Sequence, residues 1–406
     1  IKTYREMSDN DPIIGAMLYA MKHLIRSSAW TVEAASEDNV DQESAQYLRE
    51  CQEDMSSTWT DVITEIQSKN VFGFSWHEVV YKRRLGDTQN PSTRSRFSDG
   101  RIGWRKMPIR AQESLYEWKF DEKSGAVQAM VQQDPVKWTF IPIPISNSLL
   151  FRTTQEKGNP EGRSLLRNSY RSWFMKKNIE MFEGIGISRD LAGIPMAWVP
   201  PELLQAAAGT TAAALRVEVE KVVRNLHRDE QEGILWPLAY NDKGNKLWDL
   251  TLLTSGGQRQ FDTTKIIERY DQRIAMSVLA DVILIGHEAV GSFALSESKG
   301  ALFASSLDSL LQADVDVFNR IEIPRLFALN GWRLEKLPIM KAKKIQQVNV
   351  KELGAYIQQL SGAGIELFPD DVLENHLRTI ANLPEKPDDI EALPPEEPEP
   401  EPEIVE

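Results

Sequence analysis

Residues 283–298, ILIGHEAVGSFALSES, gather the side chains that could do covalent chemistry: His287 and Glu288, then Ser292 and Ser296. A serine activated by an imidazole, which a carboxylate orients in turn, is the constellation of a hydrolase. The surroundings argue against one. No G-x-S-x-G turn encloses Ser292 or Ser296, so no strained elbow would present the hydroxyl, and no oriented third group is visible. Gly286 and Gly291 point instead to a segment valued for its backbone freedom. A hydrolase using His287, Glu288 and Ser292 is kept as the rival reading.

Other reactive groups are scattered. Cys51 is the one cysteine, so there is no disulfide framework and, without a local His, neither a metal site nor an evident nucleophile. His23, His77, His227, His287 and His376 show no H-E-x-x-H or paired spacing, so no metal and no cofactor are expected. No G-x-x-x-x-G-K-[ST] run exists, and ATP hydrolysis is not expected of this chain. SGGQRQ at 255–260 could cradle an anion before a helix, but a flexible joint accounts for it better.

The 406 residues are 41% hydrophobic, enough for a sizeable core over most of their length. No apolar run approaches the roughly 20 residues that cross a bilayer, and IKTYREMSDNDP lacks a secretory layout. A soluble protein assembled in a reducing compartment is expected. The net charge of −13 is uneven: residues 384–406 hold ten acidic residues and one Lys, or −9, leaving −4 elsewhere. Seven prolines in those 23 positions allow neither helix nor core, so an acidic, disordered tail is expected.

The elements follow from periodicity. Asn10 or Asp11 caps a helix with Pro12 in its first turn and Ile14, Leu18, Met21, Leu24 and Ile25 at helical spacing, before a strand at Trp30–Ala34. Residues 41–69 repeat the helical pattern, closed by Asn70. The period then changes to two through FGFSWHEVVYKRR, GRIGWRKMPI, SLYEWKFD, AVQAMVQQD and KWTFIPIPI, an antiparallel unit with a long charged hairpin at about 82–103.

A long helix is read from Gly162, with Leu165, Leu166, Tyr170, Trp173, Phe174, Met181 and Phe182 as its buried stripe and Arg163, Arg167 and Arg171 as a charged row. Residues 188–257 resemble an inserted α/β module. A second long helix, capped by Asp262, carries Ile266, Ile267, Tyr270, Ile274, Val278 and Val282 on one face. A third, capped by Ser296, uses Phe303, Leu307, Leu310, Val317 and Ile321 and is ended by Pro324. A helical hairpin follows, its second helix too acidic at Asp370, Asp371 and Glu374 to enter a DNA groove.

Taken in order, these parts resemble the portal proteins of tailed bacteriophages, above all those of Mu-like phages and prophages. The likeness runs from DPIIGAMLYAMKHLIRSSAWTVEAA through NSLLFRTT and NPEGRSLLRNSYRSWFMKKNIEMFEGIGISRDLAGIPMAWVP to FDTTKIIERYDQRIAMSVLADVILIG, and no catalytic signature comes with it. It implies an α+β portal fold and a non-enzymatic homo-oligomeric ring, usually of twelve, at one capsid vertex in the virion. Double-stranded DNA passes through it without sequence reading.

The resemblance further implies an N-terminal wing at 1–160, stem helices at 161–187 and 258–283, a clip at 188–257, and a tunnel loop at 284–296. A wing helix and return at 297–339, a crown at 340–383 and the tail at 384–406 complete the chain. The stem residues would include Arg163, Arg167, Arg171, Lys265, Arg269 and Arg273. The loop residues would be Gly286, His287, Glu288, Val290, Gly291, Ser292 and Phe293, with Val290 and Phe293 meeting the DNA. Trp198, Trp236 and Trp248 would dock partners at the clip. The implied partners are the major capsid protein, a large terminase and a head-tail adaptor, with no membrane. A minor head or connector protein of other symmetry is the alternative. Near-neutrality of the body fits a passage, because each Lys or Arg that neutralises a phosphate adds affinity.

Overall fold

The computed structural model describes residues 1–134, 136–192, 194–224, 236, 239–241, 243–253, 262–280, 293–345, 350–362 and 370–380. They form two units, 1–342 and 343–406.

In the first unit, Asp11 both ends α1 (Lys2–Asn10) and starts α2 (Pro12–Arg26). Its carboxylate accepts from the Ile13 and Ile14 amides at 3.0 and 3.1 Å, and Pro12 fills a position that needs no amide donor. The buried row is Ile14, Met17, Met21 and Ile25, whereas Leu24 is exposed. β1 (Trp30–Glu33) follows.

The single helical run expected at 41–69 is broken into α3 (Asn39–Glu53), α4 (Trp59–Ile66) and the short α5 (Lys69–Phe72). The break has a tertiary cause. Asp54 is caught by Lys82 Nζ at 2.9 Å, the Ser95 hydroxyl at 2.6 Å and the Arg96 amide at 2.8 Å, and Thr58 then caps α4 through the Asp61 amide. Asn70 lies inside α5, and Gly73, at φ 96°, ends it.

The aromatic strands appear as read: β2 (Phe74–Glu78), β3 (Val80–Arg83), β4 (Ile102–Lys106), β5 (Ile109–Arg110), β6 (Leu115–Phe120), β7 (Val127–Gln133), β8 (Phe140–Pro144) and β9 (Ser148–Arg152). They make three antiparallel sheets, ordered β5-β2-β9, β3-β4 and β6-β7-β8. Trp118 opposite Met130, and Met130 opposite Ile143, point their shared face at Trp76.

Beyond β9 the helix expected from Gly162 starts late, as α6 (Tyr170–Ala192). Gly162, at φ 62°, lies so close to Gly73 that a Cβ on it would stand 2.5 Å from the Gly73 carbonyl oxygen. A Cβ on Gly73 would in turn meet the Glu161 carbonyl at 2.5 Å. This mutual contact holds 161–164 against 71–73, so only a 3-10 turn at Leu165–Arg167 precedes α6.

The next module comprises β10 (Ile194–Trp198), α7 (Pro201–Leu204), α8 (Thr211–Arg224) and β11 (Asp249–Leu253), with β10 and β11 antiparallel. α9 (Thr263–Met276), capped by Asp262 through the Lys265 amide, stops well before 283; Leu279 is already at φ 58°.

α10 (Phe293–Val317) continues through a π-helical turn at Phe318–Glu322 into α11 (Ile323–Leu329), where Pro324 occupies the first turn rather than ending the run. The buried row is Phe303, Leu307, Leu311, Val315 and Phe318, and Ile321 is exposed. β12 (Ile339–Ala342) closes the unit by pairing with β1. Trp30, Trp59, Phe151 and Phe318 meet edge to face or tilted, placing α10 against the sheets.

Charges are buried with these rings. Lys69 pairs with Asp314, which also accepts from Gln67 at 3.0 Å. Glu322, on the π turn, accepts from Trp104 Nε1 at 2.7 Å and the Tyr81 hydroxyl at 2.9 Å and pairs with Arg325 at 3.1 Å. Burial pushes its carboxyl up to about 7 against these partners. The second unit contains α12 (Val350–Gly362) and α13 (Asp371–Ile380). The acidic tail at 384–406 lies outside the described residues.

Candidate channel helix pair

α6 packs along α9, and α9 also meets α2. Lys176 sits at their junction with its side chain 3% exposed. Its ammonium reaches Asp11 at 3.1 Å and Asp271 at 2.6 Å, with Glu180 at 3.8 Å. Burial alone would lower its pKa, but Asp271 and Asp11 hold it above the ordinary lysine value. Burial raises Glu180, and the nearby Asp11, Asp271 and Glu183 add to the shift against the pull of Lys176. Asp11 therefore caps α2 and anchors α6 with the same carboxylate. The Ser169 and Ser277 hydroxyls bond at one end of the pair, and Thr263 donates to Glu183 at the other. The sequence reading missed this cluster, although a lysine three residues after Trp173, on the same side of the helix, was its available signal.

The outer side of α6 contradicts its predicted burial. Leu166 and Trp173 are buried and Leu165 is half-buried, but Tyr170 and Phe174 are exposed, Met181 is 52% exposed and Phe182 65%. At about 100° per residue, Tyr170, Phe174, Met181 and Ile185 fall on one face, with Met175 and Phe182 at its margin. Lys176 lies on the opposite face, and Trp173 at the other margin. Such an exposed apolar stripe is the kind of patch that another surface covers.

The arginine row also breaks. Arg163 lies before the helix, bonded to Asn168 at 2.8 Å, and Arg167 belongs to the 3-10 turn; Arg171 is the only one within α6. α9 carries Lys265, Arg269 and Arg273 four apart on its exposed side, beside Glu268 and Gln272. The Arg269 and Arg273 guanidiniums lie 5.4 and 5.8 Å from the Tyr270 ring centroid. Trp198 ends β10, exposed; Trp236 and Trp248 meet edge to face at 6.4 Å. Gly286, His287, Glu288, Val290, Gly291 and Ser292 lie outside the described residues, and of Phe293 only its place at the start of α10 is described.

The fold is shared with solved structures that include the following three. "Virion of native gene transfer agent (GTA) particle" aligns at TM-score 0.54 and 10% identity, over 95% of this chain and 94% of that one. "Neck of empty GTA particle computed with C6 symmetry" gives 0.56 and 11% over the same shares. "Neck of native GTA particle computed with C12 symmetry" gives 0.51 and 10%, again over those shares. No curated protein matches the sequence significantly. Residues 1–377 match the family described as "Portal protein of Mu bacteriophage". The match takes in nearly the whole sequence, and the chain belongs to the family of Mu bacteriophage portal proteins.

Proposed function

We propose that copies of this protein close into a portal ring at one vertex of a phage capsid, through which duplex DNA is packaged and later leaves. The observation that carries the closure is the bare apolar face of α6 in a member of this family. The similar neck structures were computed with C6 and C12 symmetry, which supports a ring; twelve copies is the number proposed. In a ring each copy offers one surface to the neighbour before it and a different one to the neighbour after it. The face with Phe174, Met181 and Ile185 takes a neighbouring copy. The side of α9 with Lys265, Arg269 and Arg273 turns to the passage, where charge stays hydrated.

The mechanism is then mechanical and electrostatic. Glu268 interrupts the basic row, so passing phosphates are met without being held tightly. The loop at 284–296 narrows the passage, and the module at 188–257 docks the terminase and then the adaptor through Trp198, Trp236 and Trp248. Residues 1–160 and 297–339 face the capsid shell as the wing, with 340–383 as the crown. No bond is made or broken by this chain, and His287→Ala leaves ring assembly unchanged.

The test is the mass of the purified full-length protein. The expected result is a closed particle about twelve times the 46.1 kDa chain. Phe174→Asp with Phe182→Asp is expected to give single copies with unchanged helix content. A wild-type protein that stays at one 46.1 kDa copy at high concentration sinks the reading.

A further inference from the structure

The β3–β4 hairpin concentrates positive charge. Residues 82–106 hold eight Lys and Arg against Asp87 and Asp99, in a chain of net charge −13. Half of these cations are compensated. Lys82 pairs with Asp54 at 2.9 Å, Arg84 with Glu50 and Asp99 at 2.6 and 2.9 Å, Arg94 with Asp87 at 2.8 Å, and Arg101 with Glu43 at 2.5 Å. Arg83, Arg96, Arg105 and Lys106 meet no carboxylate among the described residues, and neither does Arg26 at the end of α2.

Of these free cations, Arg26, Arg96 and Arg105 line two clefts. They share Met55, Ser56 and Arg96, which form the ridge between them. The first, about 630 Å³, adds Arg26, Trp30 and Trp59, and the second, about 480 Å³, adds Arg94 and Arg105. Of the acidic residues along both, Asp54 and Asp87 are already paired, leaving Glu53. Unpaired guanidiniums on both sides of one ridge make a surface for something rich in anionic acceptor oxygens.

We propose that these clefts form a second, sequence-independent contact for the phosphate backbone of duplex DNA, separate from the α6–α9 pair. The inference rests on the channel reading for the presence of DNA. A duplex fits better than an acidic protein segment because its phosphates come on a rigid frame, about one charge per 1.7 Å of axis. It can engage cations on both sides of the ridge at once, whereas a peptide must immobilise each carboxylate stem separately. Arginines outnumber lysines among the free cations, and guanidinium suits phosphate oxygens two at a time. Such a contact lets the particle hold DNA at the body while the passage itself binds it weakly.

The experiment uses the full-length protein, with a short fluorescent duplex of two unrelated sequences titrated over a range of salt. Arg96→Glu with Arg105→Glu is expected to weaken binding about tenfold or more at low salt, equally for both sequences. The slope of log affinity on log salt should fall by about two. Arg96→Gln with Arg105→Gln, which asks less of the fold, is expected to lower the slope in the same direction. An unchanged slope in both variants overturns the inference, as does loss of binding to a polyglutamate competitor in parallel with no loss for DNA. Particle mass measured on the same samples separates the two readings: single copies that still lose DNA on substitution overturn the ring and leave the cleft standing.

Discussion

The charges that the α+β body takes out of water are matched inside the same copy: Lys69 by Asp314, Lys82 by Asp54, Glu322 by Trp104, Tyr81 and Arg325. Along α6 only the inner face is treated so, at Lys176; the outer face leaves Phe174, Met181 and Phe182 in water. A copy that can place a lysine against two aspartates has not run out of means to cover three apolar side chains. On the proposed ring, the contrast separates what the fold needs from what assembly needs. The body satisfies its buried charges within one copy, while the outer side of α6 keeps an apolar face in water.

The largest expected effect lies in the body. Lys69→Ala strands the Asp314 carboxylate, whose pKa burial already raises, and should cost about 3–5 kcal/mol in a denaturant titration. Lys69→Met with Asp314→Leu removes both charges and should recover most of that loss. A single variant of wild-type stability would mean that water reaches this pair and that the body is less closed than its geometry indicates.

Next comes the inner face of the pair. Lys176→Met leaves Asp11 and Asp271 facing each other, with Glu180 close by. Because Asp271 is partly open to solvent, the expected cost is smaller, about 2–3 kcal/mol. Hydrogen exchange should rise in α9 and in the first turn of α2 together, since Asp11 serves both. Faster exchange confined to α6 would show that Lys176 does not couple these helices.

The body should also report its buried groups through pH. Glu322 titrates near 7 when folded against 4.5 when unfolded, so the stabilisation linked to its proton is complete below pH 4.5 and drains away as pH rises through about 7. His77 is held by burial at about 4 against 6.5, so its contribution is complete above pH 6.5 and is lost as pH falls through about 4. The two slopes oppose each other. Glu322→Gln removes one, so the stability of the variant relative to wild type should rise with pH between about 4.5 and 7, by at most about 1.4 kcal/mol per pH unit. A difference that does not change with pH would place the carboxyl in contact with solvent.

What could be read in advance follows the range of the interactions. Asp11-Pro12 before an apolar run, Asp262 before α9 and the alternating aromatic strands are local signals, and each appears in the fold. The break at 54–58 depends on Lys82, Ser95 and Arg96, which lie far along the chain, and the late start of α6 depends on Gly73 touching Gly162. Neither contact has a sequence period. The apolar repeat of α6 was legible, but a repeat tells that a face avoids water without telling whose surface covers it. The charged hairpin at 82–103 was legible too, whereas the pairing that leaves Arg96 and Arg105 free was not. For the candidate site, the positions 284–292 lie outside the described residues, so the helix pair carries the structural argument.

The smallest effect on stability tests the comparison most directly. Met181→Ser with Ile185→Ser removes apolar surface that a lone copy already exposes. In dilute protein, where copies are separate, unfolding should therefore shift by no more than about 0.5 kcal/mol. The difference should appear only as concentration rises. The wild-type midpoint should climb with protein concentration, because association stabilises the folded copy by mass action, and that of the variant should stay flat. A variant that loses several kcal/mol even when dilute would show that these side chains are packed within their own copy. The bare face of α6 would then be no interface, and the comparison between the self-contained body and the incomplete helix pair would fail at its central point.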